Sequence, residues 1–184
     1  MTESVLRTMR FELEPIVADH AARLFDDLQA EGIYTFIPEA PPASVATLAE
    51  RYTRWSARQN EEGDQIWLNY AILDKARASY LGTIQATIVQ PGRALLAYLV
   101  FPHAWGKGVA TEACRALIRT LAADFGIETI VAHVDTRNMA SWKFLESLAF
   151  GRVRTIENAD VFKGKPSDEY VYERRADTQL PQLR

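Results

Sequence analysis

The sequence predicts a single α/β domain of the α+β type. We expect a mixed, mostly antiparallel sheet of about seven strands flanked by about four helices. Three apolar runs, Trp67 to Leu73, Tyr80 to Val89 and Leu95 to Phe101, follow one another with short polar turns between them, which is typical of an antiparallel meander. Helical spacing then alternates with short apolar runs. A helical crossover after a meander indicates a mixed sheet with helices packed against it.

The composition limits the class of protein. The chain has 184 residues, of which 48% are hydrophobic and 24% charged, which is enough for one core. The formal net charge of -3 argues against a general nucleic-acid binder, and the single cysteine excludes an intrachain disulfide. The sequence has no signal-peptide pattern and no apolar run near the roughly 20 residues of a membrane span. We therefore expect a cytoplasmic protein, a monomer or homodimer without nucleic-acid or membrane partners, with a domain at 1–175 and a polar tail at 176–184.

The N-terminal part predicts one strand and two helices. Met9 to Pro15 alternates apolar and polar residues, as a half-buried strand does. Asp19 is a candidate N-cap for a first amphipathic helix that Gly32 ends, and Ser44 is the N-cap of a second. The aromatic, proline-rich segment 33–43 between them cannot be a regular helix. It is either a packed connector or a wall of a binding site.

The C-terminal part predicts two further helices and three further strands, separated by turns and one long loop. In chain order these are a helix from Ala110 to a C-cap at Gly126, a strand over Thr129 to Val134, a helix over Met139 to Leu148, a strand over Phe150 to Ile156, a polar loop over Glu157 to Ser167, and a last strand over Glu169 to Glu173.

The most informative stretch follows the third strand of the meander. In Trp105-Gly106-Lys107-Gly108-Val109-Ala110 a glycine-rich turn leads into a helix, so backbone N–H groups and the positive end of the helix dipole can face an anion. The spacing is not that of a Walker loop, because Gly108 is not followed by Lys-Ser or Lys-Thr. It is not the dinucleotide fingerprint either, because Thr111 holds the third glycine position.

The stretch resembles the acetyl-CoA-binding motif of the GNAT superfamily of N-acetyltransferases, (Gln/Arg)-x-x-Gly-x-(Gly/Ala). Gly108 and Ala110 stand at the two small positions, and Trp105 replaces the Gln or Arg. Downstream, Asn138-Met139-Ala140-Ser141 resembles the Asn-x-x-Ser segment of the branch that contains the ribosomal-protein alanine N-acetyltransferases. Ala149 replaces the glycine with which that segment ends.

The resemblance implies that acetyl-CoA is the co-substrate. Its acetyl group would pass directly to a primary amine, either a peptide N-terminal α-amine or the amine of a small molecule, in a ternary complex. Many family members protonate the departing thiolate with a tyrosine, but Leu145 stands at that position, and the resemblance gives the catalytic role to Ser141 instead. The residues that it implies for acetyl-CoA binding are Leu99, Val100, Phe101, Trp105, Gly106, Lys107, Gly108, Val109, Ala110, Thr111 and Asn138.

Two questions stay open at the level of sequence. The base that deprotonates the amine is Asp135, Glu39, His133 or an ordered water, although the position of His133 on a central strand favours a core residue. The missing tyrosine also leaves open a non-catalytic acetyl-CoA-binding sensor or scaffold. No metal is expected, because His20, His103 and His133 do not form a zinc-binding pattern.

Overall fold

The computed structural model describes residues 4–180, with the backbone alone at residues 90 and 162. The strands of this part of the chain are β1 (Leu6–Arg7), β2 (Phe11–Pro15), β3 (Ile66–Asp74), β4 (Ser79–Gln90), β5 (Arg93–Val100), β6 (Thr129–Asp135), β7 (Gly151–Phe162) and β8 (Lys165–Arg175). They form one eight-stranded sheet in the order β1-β2-β3-β4-β5-β6-β8-β7. Only the β5–β6 pair is parallel, which confirms the predicted mixed, mostly antiparallel sheet.

Helices cover both faces of the sheet. They are α1 (His20–Leu24), α2 (Val45–Ser56), α3 (Val109–Phe125) and α4 (Met139–Ser147). Apolar side chains of α3 and α4, such as Leu117 and Leu145, pack in the larger core cluster on one face. Those of α1 and α2, such as Leu24 and Leu48, pack in a second cluster on the other. Within residues 4–180 no helix is long and apolar enough to span a membrane.

Local signals located several element ends correctly. The Ser44 hydroxyl accepts a hydrogen bond from Thr47 N at 3.1 Å and so caps α2. Gly126 follows α3 in the left-handed conformation, with φ of 61°, as expected of a C-terminal cap. The meander β3–β4–β5 also forms as predicted.

The first helix is shorter than its amphipathic pattern indicates. The α-helix ends at Leu24, and the chain continues through two 3-10 turns, Asp27–Gln29 and Glu31–Tyr34. The side chain of Asp19 makes no capping bond. The tighter turns bury both Leu28 and Tyr34, whose hydroxyl donates to the Leu28 carbonyl at 2.8 Å. Burial of these two side chains therefore outweighs continuation of the helix.

The predicted polar loop over Glu157 to Ser167 is wrong. Strands β7 and β8 continue through this segment as a hairpin and meet at a two-residue turn, Lys163-Gly164. Both turn residues have positive φ, 52° and 72°, which matches a type I′ hairpin turn. The polar composition conceals the strands because β7 lies at the edge of the sheet, where side chains face water.

The end of the chain is packed as far as the structure describes it. Arg174 is part of β8, and its buried guanidinium donates hydrogen bonds to the carbonyls of Leu148 and Thr178. Ala176 is buried, and Leu180 packs against the larger core cluster. The rest of the predicted polar tail, 181–184, lies outside the described residues.

The parallel strands β5 and β6 diverge. Their register runs only from Arg93 opposite Thr129 to Leu95 opposite Val131, although both strands continue beyond it. The ends of the two strands thus leave a gap in the middle of the sheet, and α3 and α4 start near it. This gap and the turn before α3 position the candidate site.

Candidate active site

The turn between β5 and α3 forms an anion cradle. Gly106 and Gly108 have φ of 71° and 73°, a conformation that costs side-chain-bearing residues free energy. The first helical hydrogen bond runs from Glu112 N to Gly108 O. The N–H groups of Val109, Ala110 and Thr111 therefore have no acceptor within the helix, and Gly108 offers no capping side chain. These groups and the helix dipole face the space above the turn, as anion binding requires.

A side chain from the other end of the chain braces the cradle. Arg10, in the β1–β2 turn, donates from Nη1 to the Lys107 carbonyl at 3.0 Å. Its Nε and its backbone N donate to the two carboxylate oxygens of Glu112 at 2.7 and 2.8 Å. Burial by itself would raise the pKa of Glu112, but hydrogen bonds from Thr8 and Arg10 outweigh it and lower the pKa. The charged pair fixes both ends of the cradle against the β1–β2 turn.

The backbone of β5 presents alternate residues to the gap. Phe101 N donates to Leu81 O at 2.8 Å, and the Leu99 carbonyl lies against Gly82, so both residues direct backbone groups at β4. Val100 lies between them, so its backbone N–H and carbonyl groups point the opposite way, toward the gap. Its carbonyl accepts from Trp105 Nε1 at 2.6 Å. Trp105, a residue whose role the sequence leaves open, thus ties the cradle to the end of β5.

Asn138 and Ser141 lie at the start of α4. The Asn138 side-chain oxygen accepts from Ser141 N at 3.1 Å, so Asn138 is the N-cap of this helix. The Ser141 hydroxyl lies 2.6 Å from the Tyr98 hydroxyl of β5. The two residues therefore join the first turn of α4 to a gap-lining strand on the face of the sheet that α3 and α4 cover.

Tyr98 is the site residue that sequence reasoning missed. Its ring packs edge to face on Phe144 of α4, with 4.8 Å between the centroids. Burial raises the pKa of Tyr98, so the phenol stays protonated at neutral pH. The available signal was strand alternation, which places Tyr98 on the same face of β5 as Leu96 and Val100. Its partner on a helix 43 residues away gives no local signal.

The candidate bases differ sharply in their surroundings. Asp135 is buried and accepts from Arg137 Nη2 and Ser167 Oγ, each at 2.5 Å. Burial by itself would raise its pKa, but these hydrogen bonds outweigh burial and lower the pKa to about 2, which suits a structural anion. Glu39 is exposed in the loop before α2.

His133 is not the core residue that its central strand suggests. Its side chain is 38% exposed, and its Nδ1 lies 2.9 Å from Glu169 Oε2 of β8. The alternation along β6 explains the error: Ile130, Ala132 and Val134 belong to the core cluster with α3 and α4, whereas His133 points from the other face. That face is only partly covered.

Cys114 is fully buried, and burial raises its pKa, so it is a poor nucleophile.

Comparison with known proteins identifies this arrangement. Residues 10–151, more than half of the chain, match the acetyltransferase (GNAT) domain family. The chain belongs to the GNAT family. The match includes the cradle, the diverging strands and α4, and GNAT enzymes take an acetyl group from acetyl-CoA.

One curated relative and several solved structures agree with this membership. An uncharacterized N-acetyltransferase p20 from Bacillus licheniformis is 30% identical over 105 residues, which are 56% of this chain and 59% of that protein. The matched segment thus spans less than two thirds of the relative. A RimL ribosomal L7/L12 α-N-protein acetyltransferase in complex with coenzyme A has a TM-score of 0.83 at 16% identity, over 96% of this chain and 100% of the other.

A second solved structure shows the same fold. The ribosomal-protein-S5-alanine acetyltransferase from Vibrio fischeri has a TM-score of 0.81 at 16% identity, over 97% of this chain and 100% of the other. At these identities the likeness establishes the GNAT fold alone.

Proposed function

We propose that this GNAT protein transfers the acetyl group of acetyl-CoA to a primary amine, by direct attack of the amine in a ternary complex. The observation that carries the proposal is the combination of an uncapped, glycine-rich helix start with a gap between two parallel strands. The cradle suits a pyrophosphate, and the gap suits a narrow chain that reaches from it into the sheet.

The residues present fit acetyl-CoA. The N–H groups from Gly106 to Thr111 would hold the pyrophosphate, with Lys107 beside it. The N–H of Val100 and the side chain of Asn138 would bond the pantetheine arm. The backbone groups of Leu99 and Phe101 are directed at β4, so these two residues would hold β5 in the sheet while Val100 between them bonds the arm. Trp105 would hold the Val100 carbonyl in place.

Ser141 is the proposed catalytic residue for the departing sulfur. A thiolate develops as the bond from the acetyl carbon to sulfur breaks, and a hydroxyl placed beside it stabilises that charge by a hydrogen bond. Tyr98 can donate to Ser141 Oγ while Ser141 donates its own proton toward the sulfur. The two hydroxyls then replace the tyrosine that many family members place where this chain has Leu145.

The acceptor is either a peptide N-terminal α-amine or the amine of a small molecule. An α-amine has a pKa of about 8, against about 10.4 for a lysine side chain, so it needs less help from a base at neutral pH. The similarity in fold to acetyltransferases named for ribosomal proteins, one of them an α-N-protein acetyltransferase, supports the peptide. The proposal includes a cytoplasmic location.

Release of free thiol tests the proposal. The protein is incubated with acetyl-CoA and a panel of peptides and small amines, and the thiol of coenzyme A is measured over time. Acceptor-dependent release supports acetyl transfer. If acetyl-CoA binds tightly but no amine causes thiol release, the result would instead support a non-catalytic sensor. Absence of acetyl-CoA binding would contradict both the enzyme and the sensor.

A further inference from the structure

The sheet face opposite α3 and α4 has an uncovered strip above the gap. Helices α1 and α2 pack on this face over β2, β3 and β4, and their cluster reaches Phe101 at the end of β5. Leu95 and Ala97 of β5 and His133 of β6 are nevertheless exposed. We call these three residues the open strip. They belong to the two strands that diverge, so the strip is a route to the gap from the side opposite Ser141.

The pair His133–Glu169 has the geometry of a proton acceptor held in one tautomer. An ionised carboxylate only accepts hydrogen bonds, so the contact of 2.9 Å between His133 Nδ1 and Glu169 Oε2 has Nδ1 as the donor. The lone pair of Nε2 is then left on the far side of the ring, away from β8. Imidazole is the commonest general base in enzymes, and a carboxylate on the other nitrogen is its usual orienting partner.

The location of the His133–Glu169 pair fits a reaction in which the amine and the departing sulfur lie on opposite faces of the sheet. Val131 is the last β6 residue in register with β5, so His133, two residues farther on, lies where the strands have separated. Ser141 and Tyr98 lie on the α3/α4 side of this gap, and His133 lies on the open side. An acetyl carbon between the strands would have the sulfur on one side and an approaching amine on the other.

Among the carboxylates of residues 4–180, Glu169 is the one directed at His133. On β6, Asp135 is bound by Arg137 and Ser167. On β8, Glu173 is bound by Arg93, and on β5 the facing side chains are the apolar Leu95, Ala97 and Leu99. At the tip of the β7–β8 hairpin, the ammonium group of Lys163 donates to the Tyr34 carbonyl at 2.6 Å, so this cation is engaged there. Glu169 is therefore the carboxylate that orients the ring of His133.

We propose that His133 is the general base of this enzyme and that Glu169 is its positioning residue. The assignment rests on the proposed acetyl transfer. The amine nitrogen bonds to the acetyl carbon, and His133 Nε2 takes one proton from that nitrogen. The bond from carbon to sulfur then breaks, and the sulfur leaves with the electron pair, hydrogen-bonded to Ser141. The products are the amide and the thiolate of coenzyme A, which takes up a proton from solvent, and His133 returns the proton that it accepted to solvent.

The test uses the full chain, acetyl-CoA and the amine of the panel that releases thiol fastest. His133→Gln should lower kcat by about a hundredfold with an unchanged KM for acetyl-CoA, because a general base contributes about that factor. Glu169→Gln should lower kcat by about tenfold. His103→Gln is the matched control, since His103 is also exposed and lies 3.2 Å from a carboxylate, Asp27, but belongs to the turn after β5 and not to β6. Its kcat should not change.

Two readouts separate catalysis from a structural role. In His133→Ala, added imidazole should restore part of kcat, which a residue needed only for folding would not allow. The ring ¹⁵N shifts of His133 should show the Nδ1–H tautomer in the wild type and a mixture in Glu169→Ala. If His133→Gln and His133→Ala both keep kcat within twofold while the wild type turns over, the base assignment is wrong and acetyl transfer stands. If the wild type acetylates no amine, both the base assignment and the proposed acetyl transfer are contradicted.

Discussion

The hydroxyl groups of Tyr98 and Ser141 lie 2.6 Å apart across the space between a central strand and the first turn of α4. The contact joins the residue proposed to hydrogen-bond the departing thiolate to a buried phenol that remains protonated. A serine hydroxyl is a weak acid, and a donor on its oxygen makes it a better hydrogen-bond donor to an anion. The pair gives a clear expectation for mutagenesis.

Tyr98→Phe should lower kcat by about tenfold, because it removes one hydrogen bond that acts when charge develops on sulfur. Ser141→Ala should lower kcat more, by about a hundredfold, with a smaller change in the Kd of acetyl-CoA. If Tyr98 acts through Ser141, the double variant should be no slower than Ser141→Ala alone. Tyr172→Phe is the control, since its hydroxyl donates to Glu146 of the same helix at 2.9 Å. Unchanged kcat in Ser141→Ala would remove that residue from the mechanism.

Gly106→Asp should weaken acetyl-CoA binding by at least about tenfold. A carboxylate in the cradle would repel the pyrophosphate and take up the space that its oxygens need. Gly63→Asp is the matched control: Gly63 has φ of 74° against 71° at Gly106, and a Cβ at either position meets no atom within 4 Å. The two variants should therefore share the same backbone strain, and isothermal titration should find a raised Kd only for the cradle variant. Equal Kd values would place the pyrophosphate elsewhere.

Asp135 should make the stability of the protein depend on acidic pH. Its pKa is lowered from 3.8 to about 2, so it stabilises the fold above the unfolded-state pKa, and the contribution is lost as pH falls toward 2. The shift corresponds to about 2 kcal/mol. Asp135→Asn should accordingly lower the free energy of unfolding by about that amount at pH 7 and by little near pH 2.

Chemical denaturation across this pH range measures the effect. Asp177→Asn serves as the control, because Asp177 also pairs with an arginine but lies at the surface. Because solvent and salt screen this surface pair, the free energy of unfolding of Asp177→Asn should stay close to that of the wild type at every pH. A constant difference between wild type and Asp135→Asn from pH 7 to pH 2 would contradict the assignment.

Ala149→Gly should stabilise the protein. Ala149 ends α4 with φ of 63°, a left-handed conformation that costs an alanine about 1 kcal/mol and a glycine very little. The chain thus keeps the helix exit that the glycine of the related segment would give. The free energy of unfolding should rise by about 1 kcal/mol. Ala123→Gly, in the exposed part of α3, should lower it by about as much. A loss of stability in Ala149→Gly would show that the methyl group of Ala149 contributes packing.

The sequence by itself determined the order of elements, most of their boundaries and the cradle. These depend on local physics: alternation along a strand, the helical repeat, a hydroxyl before a helix, glycine where φ is positive. Ser141 and Asn138 became candidates through the resemblance of their segment to a family motif. The local analysis of the sequence failed elsewhere. It failed at the β7–β8 hairpin and at the first helix, where pairing across the sheet edge and burial of Leu28 and Tyr34 outweigh local composition.

Only the tertiary structure decided which side chains meet. Arg10 and Glu112 are 102 residues apart in the chain, Tyr98 and Ser141 are 43 apart, and His133 and Glu169 are 36 apart. Each pair depends on the register between strands or on the docking of a helix, which residue spacing does not specify. The strand assignment of His133 was right and its predicted burial was wrong, because exposure on a central strand is set by how far the neighbouring helices extend over the sheet.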